Sequence, residues 1–199
     1  MSYLILGASS GLGRELANIL AKNLNDLIII SRDENDLRAI KSDLEIKFKI
    51  SVKYFRVDVS SFDEIKKFLE SNSNLLNKIQ GILFPVGMMD AKDKILNDMS
   101  TSNNLIQANM GVVAYFLSKI FPIFMQKNKG VIVGFGSISS TIGRDVNTVY
   151  AASKRGLESL FESLAISALP SKLKIQFYTI GYLDTNLSYG KKLLLPKGS

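Results

Sequence analysis

The 199-residue sequence has no cysteine, no histidine and no tryptophan, and only four prolines. Without cysteine there is no disulfide framework, and the cytoplasm is the default expectation for its location. With neither cysteine nor histidine, a zinc site and a histidine-based nucleophilic triad are both excluded as readings. Acid–base chemistry must then come from Tyr, Lys, Asp or Glu. The chain also lacks an uninterrupted apolar run of the roughly 18 residues a membrane-spanning helix needs, so no span is predicted. Its N-terminus enters a strand-like run at once, which leaves no room for a secretory signal peptide. Charge is unbalanced, at +7, but the basic residues are scattered. Their nearest approach to a cluster is Lys191, Lys192 and Lys197. A solvated basic surface is the first reading and a site for phosphate-bearing ligands the second. No nucleic-acid motif accompanies the charge, so no specific nucleic-acid partner is expected.

What is present is a composition that is 46% hydrophobic, enough for one globular domain over residues 1–199 with a sizeable core. Strand-like runs at 3–6, 27–31, 52–57, 81–84, 130–135 and 174–180 alternate with helical patterns at about 12–23, 34–47, 61–72, 101–127 and 148–168. Strands that are apolar throughout and separated by helices predict a parallel sheet covered on both faces. The fold class expected is α/β, a Rossmann-like doubly wound sheet with ligands at the strands' C-terminal ends.

Two motifs carry the chemistry. In Tyr150-Ala-Ala-Ser-Lys154 the tyrosine and lysine share one helix face, so the ammonium can sit beside the phenol and draw its pKa toward the working range. Thirteen residues earlier, at the end of an apolar strand, stands Ser137, which could hydrogen-bond a substrate oxygen. Ser139 and Ser140 are nearby, but the spacing selects Ser137. At the other end, Gly7-Ala-Ser9-Ser10-Gly11-Leu12-Gly13 joins the first strand to a helical pattern. Glycines permit a tight turn and close approach of backbone N–H groups to a pyrophosphate, and the helix N-terminus adds partial positive charge. The spacing is GxxxGxG, and phosphate binding is favoured over a turn with no ligand.

Taken in order, Gly7 to Gly13, Asp58-Val59, Asn109, Ser137, Tyr150/Lys154 and Gly181…Thr185 resemble the short-chain dehydrogenase/reductase family along essentially the whole chain. The resemblance implies NAD(H) or NADP(H) as cofactor and interconversion of a carbonyl and an alcohol on a small-molecule substrate. It implies Tyr150 as general acid in reduction, Lys154 lowering its pKa and contacting the nicotinamide ribose, Ser137 polarising the substrate oxygen, and Asn109 extending a proton relay through water. Taken alone, Asn109 reads first as a polar helix residue bonding locally; within this series of motifs the relay is favoured. Asp58 would meet the adenine amino group, and could also cap the helix that begins near Ser60 or Ser61; the two are compatible. Gly87 would let the backbone pass close to the ribose. Gly181, Leu183 and Thr185 would hold the nicotinamide carboxamide and diphosphate.

Ser31 stands where an NAD enzyme would usually hold an acidic residue, and Arg32 follows at once. A guanidinium can pair with a 2′-phosphate, which favours NADP(H) over NAD(H); the alternative is a surface Arg tied to Asp33, Glu34 or Asp36. Two departures from the family pattern stand out. Phe84-Pro85-Val86-Gly87 replaces the usual Asn-Asn-Ala-Gly, with Phe84 expected to substitute by packing. The sequence also runs only fourteen residues beyond Thr185, where many relatives continue to a seventh strand. The sixth strand is therefore expected at an exposed edge, and a homodimer is expected through helices 101–127 and 148–168. Met88, Met89, Ile138, Arg144, Tyr182, Leu187 and Tyr189 are the expected pocket lining, with Arg144 a hint of an anionic substrate. A catalytically silent dinucleotide-binding module is the alternative function.

Overall fold

The chain alternates strand and helix because its short apolar runs are each followed by an amphipathic stretch with its own cap. In the computed structural model, which describes residues 1–9, 11–94 and 98–183, the strands are β1 Ser2–Leu6, β2 Asp26–Ser31, β3 Val52–Arg56, β4 Gly81–Phe84, β5 Gly130–Ser137 and β6 Leu173–Ile180. The helices are α1 Gly11–Lys22, α2 Glu34–Phe48, α3 Phe62–Ser71, α4 Ser73–Leu76, α5 Met99–Ile106, α6 Val112–Lys127 and α7 Thr148–Ala168. A π-helical turn, Gln107–Gly111, joins α5 to α6. Side chains set the limits: Asp33 caps α2 by accepting from Asp36 N at 3.0 Å, and Ser61 caps α3 by accepting from Glu64 N at 3.3 Å.

All strand pairs are parallel, in the order β3-β2-β1-β4-β5-β6. The period of two in β1 and β2 divides the core. Leu4, Leu6, Ile28 and Ile30 face one layer with Phe116 and Ile120 of α6 and Leu157 and Phe161 of α7. Ile5, Leu27 and Ile29 face the other with Ala17 and Ala21 of α1 and Leu37, Ile40 and Leu44 of α2. Both faces are thus covered, as continuously apolar strands require. Phe84 is fully buried, with ring centroids 6.1 Å from Phe116 and 6.5 Å from Phe161, so the residue that replaces the family's asparagine is a core anchor.

By length and composition the stretch Met99–Lys127 is apolar enough to cross a membrane. The core accounts for that character: Leu105, Val112, Val113, Phe116, Leu117, Ile120 and Phe124 are buried inside the fold. Among the described residues β6 is an edge strand, as expected.

Candidate active site

The strand order reverses between β1 and β4, and the crevice at such a switch point is where a doubly wound sheet takes its ligand. A continuous cavity of about 850 Å³ runs along the C-terminal strand ends there. At its base, β1 leaves the sheet through Gly7, whose N–H bonds Ile30 O at 2.8 Å. Gly7 has φ +96°, and an added Cβ would lie 2.9 Å from Val86 Cα; at Gly13 it would lie 2.0 Å from Gly7 O. Only glycine fits either position, so α1 begins pressed against the turn. Gly7, Ser9, Gly11 and Leu12 line the cavity; Ser10 lies outside the described residues.

One end of the cavity is formed by Ser31, Arg32, Asp33, Asp36, Asp58, Val59 and Ser60. The buried Ser31 hydroxyl accepts from Asp33 N at 3.2 Å. Arg32 is exposed and makes no salt bridge with Asp33, Glu34 or Asp36 among the described residues. Asp58 does not cap α3; it accepts from Ser60 N at 2.9 Å and Ser60 Oγ at 2.7 Å. Burial pushes its carboxyl upward, but the Ser60 bonds and the charges of Arg32 and Arg56 hold it below the ordinary value.

The other end holds the hydroxyls. Ser137 closes β5; its Oγ lies 2.7 Å from Ser139 Oγ and accepts from Ser139 N at 3.2 Å. The same hydroxyl beside the phenol of Tyr150 favours the phenolate. Lys154 is fully enclosed, and its Nζ donates to Val86 O and Phe135 O, each at 3.1 Å. Burial alone pushes that ammonium down to about 8. The expected effect of Lys154 on Tyr150 is corrected here, because burial raises the phenol's pKa above its ordinary value and outweighs Ser137. In this state the lysine is engaged by two backbone carbonyls.

Asn109 sits on the π turn with no exposed surface. Its Nδ2 donates to Met88 O and Leu105 O, and its Oδ1 accepts from Met88 N, all at 2.9 Å. The side chain therefore braces the loop after β4, and one Oδ1 lone pair is left over. Gly87 lies between Asn109 and Lys154: a Cβ there would be 3.6 Å from both Asn109 Oδ1 and Lys154 Nζ. Gly181, Tyr182 and Leu183 complete the wall; Thr185, Leu187 and Tyr189 lie outside the described residues.

Asp93 has no counterpart among the sequence expectations. It is 4% exposed, and its carboxylate accepts from Val149 N and Tyr150 N, each at 2.9 Å. Its carbonyl accepts from Asn147 N at 2.8 Å. Asn147, the local cap position, is left-handed and makes no side-chain cap bond, so a residue from the β4 loop satisfies the first turn of α7. The only sequence signal is an aspartate in an otherwise mixed loop, 56 residues from the nearer N–H.

The glycine turn, the switch-point crevice and the side chains of Ser137, Tyr150 and Lys154 share one cavity of a doubly wound α/β fold. A family model described as short chain dehydrogenase matches residues 2–192, and the chain belongs to that family. It is 28% identical to an NADP-dependent 3-hydroxy acid dehydrogenase of Schizosaccharomyces pombe, over 94% of this chain and 73% of the relative. It is 30% identical to a very-long-chain 3-oxoacyl-CoA reductase of Debaryomyces hansenii, over 92% of this chain. The chain spans 55% of that relative's length. The fold is similar to that of a bulky-bulky ketone specific alcohol dehydrogenase from Comamonas testosteroni, with TM-score 0.87 and 20% identity over 98% of this chain and 76% of that one.

Proposed function

We propose that the protein reduces the carbonyl of a small molecule to an alcohol, with NADPH preferred over NADH and Tyr150 as general acid. The observation that carries this is a single cavity joining the glycine turn to Ser137, Tyr150 and Lys154. The residues present fit the cofactor: Gly7 and Gly13 leave no room for a side chain at the turn, and Gly87 lines the same cavity. Gly7 to Gly13 would hold the diphosphate, Asp58 and Val59 the adenine, and Lys154 the nicotinamide ribose. When bound, NADPH supplies the hydride.

The chain's own part is to give a proton where negative charge develops on the carbonyl oxygen. Ser137 orients that oxygen. Tyr150 donates to it, and a phenol held above its ordinary pKa by burial is fully protonated at neutral pH, the form the step needs. Lys154 carries the compensating positive charge, and Asn109 fixes the loop that forms the cofactor's side of the site. NADPH preference rests on Arg32, a guanidinium at the adenosine end with no salt bridge among the described residues. The NADP-dependent relative agrees with it. A homodimer through the α5–α6 stretch and α7 accompanies this reading.

Calorimetric titration of the wild-type chain with NADPH and NADH, followed by a carbonyl panel, tests the proposal. NADPH is expected to bind more tightly than NADH, with Arg32→Ala removing the difference. Tyr150→Phe is expected to lower turnover by about 10³-fold while leaving NADPH affinity nearly intact. Binding of neither nucleotide would sink the enzyme reading. Full turnover in Tyr150→Phe would remove Tyr150 from the acid's role.

A further inference from the structure

The cavity's charges are segregated. Its lining carboxylates, Asp33, Asp36 and Asp58, all lie at the adenosine end. At the opposite end, around Ser137, Ile138, Met88, Met89 and Tyr150, no lining carboxylate stands among the described residues, and one guanidinium does: that of Arg144. Lys154 is the other cation there, and its Nζ is occupied by Val86 O and Phe135 O.

Three features distinguish Arg144 from an ordinary surface arginine. It is half-buried on the cavity wall. Arg38, Arg56 and Arg155 each pair with a glutamate; Arg14, Arg32 and Arg144 make no salt bridge among the described residues, and of these three Arg144 alone is not exposed. Its backbone belongs to a fixed strap: Thr148 Oγ1 donates to Arg144 O at 3.3 Å, Val146 forms an antiparallel bridge with Lys94, and Asn147 N bonds Asp93 O at 2.8 Å. The strap runs directly from the turn after Ser137 to the helix that carries Tyr150. The guanidinium of this half-buried residue, with no ion pair among the described residues, keeps its donor fork open, an arrangement that a planar carboxylate satisfies with two parallel bonds.

We infer that Arg144 is a specificity residue, and that the carbonyl substrate carries a carboxylate that this guanidinium receives while Ser137 and Tyr150 hold the ketone oxygen. The inference rests on the carbonyl-reductase reading of the same site. It restricts the substrate to oxo acids, and in the reverse direction to hydroxy acids.

The test uses the full chain with NADPH and straight-chain oxo acids whose ketone stands two to four carbons from the carboxylate, each beside its methyl ester. A phosphorylated ketone of similar length is the further arm. Pentanoate and pentanamide, which cannot be reduced, serve as binding probes of the NADPH complex. Wild-type protein is expected to favour at least one acid over its ester by about tenfold or more in kcat/KM, mainly through KM, as loss of a hydrogen-bonded charge partner predicts. Arg144→Leu is expected to bring the acid-to-ester ratio toward one, with Arg144→Lys between. Pentanoate is expected to outbind pentanamide in wild type only. Equal binding of the two probes, an acid-to-ester ratio that survives Arg144→Leu, or preference for the phosphate each overturns the assignment. Failure of the reductase reading is separable: Arg144-dependent pentanoate binding would persist even if Tyr150→Phe kept full turnover.

Discussion

At the scale of single residues, Lys154 shows how function opposes stability here. An enclosed ammonium with no carboxylate nearby is disfavoured by desolvation, which is why its pKa falls from 10.5 to about 8. An unfolded chain keeps that proton up to about 10.4, so between the two values the unfolded state binds more protons and folding stability rises with pH. The destabilising contribution, about 3 kcal/mol at full extent, is present below about pH 8 and relieved by about pH 10.5. Chemical denaturation of the cofactor-free chain at pH 8 and pH 10 checks this. Wild type should gain stability relative to Lys154→Met across the window, and an identical pH response in both would show that the ammonium is better solvated than its burial implies. Catalysis should move the opposite way over the same range. As Lys154 loses its charge above about pH 8, the phenolate left by proton donation loses its compensating cation, so reduction should slow as the fold becomes more stable.

At the scale of elements, the loop after β4 is the part that assembles the site, because two buried side chains tie it to two helices. Asn109 grips Met88 from the π turn, and Asp93 grips the first turn of α7. The π turn has a cost, since Gln107 Nε2 is buried without a hydrogen-bond partner among the described residues, and an orphaned donor is destabilising. Asp93→Ala would strand two more buried N–H groups, one of them on Tyr150 itself. It should lower stability by about 3 kcal/mol and reduce kcat while NADPH affinity stays close to wild type. Thermal unfolding with steady-state kinetics reads both, and an unchanged kcat would mean that α7 holds Tyr150 without this clamp. The same elements show what was legible in the sequence. Strand positions fell within a residue or two of those expected because a buried parallel strand is an apolar run with sharp ends. Ser137, Tyr150 and Lys154 line one cavity because a strand end and a helix face convert spacing into position. Asp93 was missed because its partners lie far along the chain, and the π turn because one extra residue barely disturbs a helical period. The direction of the Tyr150 shift was missed because spacing reports the nearby lysine but not the depth of burial.

At the scale of the whole molecule, the remaining question is what covers the apolar residues that the sheet does not. The helices α5 and α6 expose Met99, Ile106 and Tyr115, and α7 exposes Ile166, with Leu169 exposed just past its C-terminal end. A stable interface between copies buries about 1,200–2,000 Å² in all, and a two-fold axis presents every such residue twice. A homodimer through these helices would remove them from water while leaving the cavity, at the strands' C-terminal ends, open to ligand. It would also draw on the rigidity of the elements that carry Asn109 and Tyr150, so loosening the interface should be felt at the site only weakly. Sedimentation at micromolar concentration should therefore give a dimer for wild type and a monomer for Ile106→Glu, whose two introduced charges would have to be buried without partners. NADPH affinity should be the same for both proteins, because Ile106 lies outside the cavity lining. A wild-type monomer at about 50 μM, well above the Kd expected of an interface of that size, would show that these helices face solvent and that the apolar residues on them are tolerated singly.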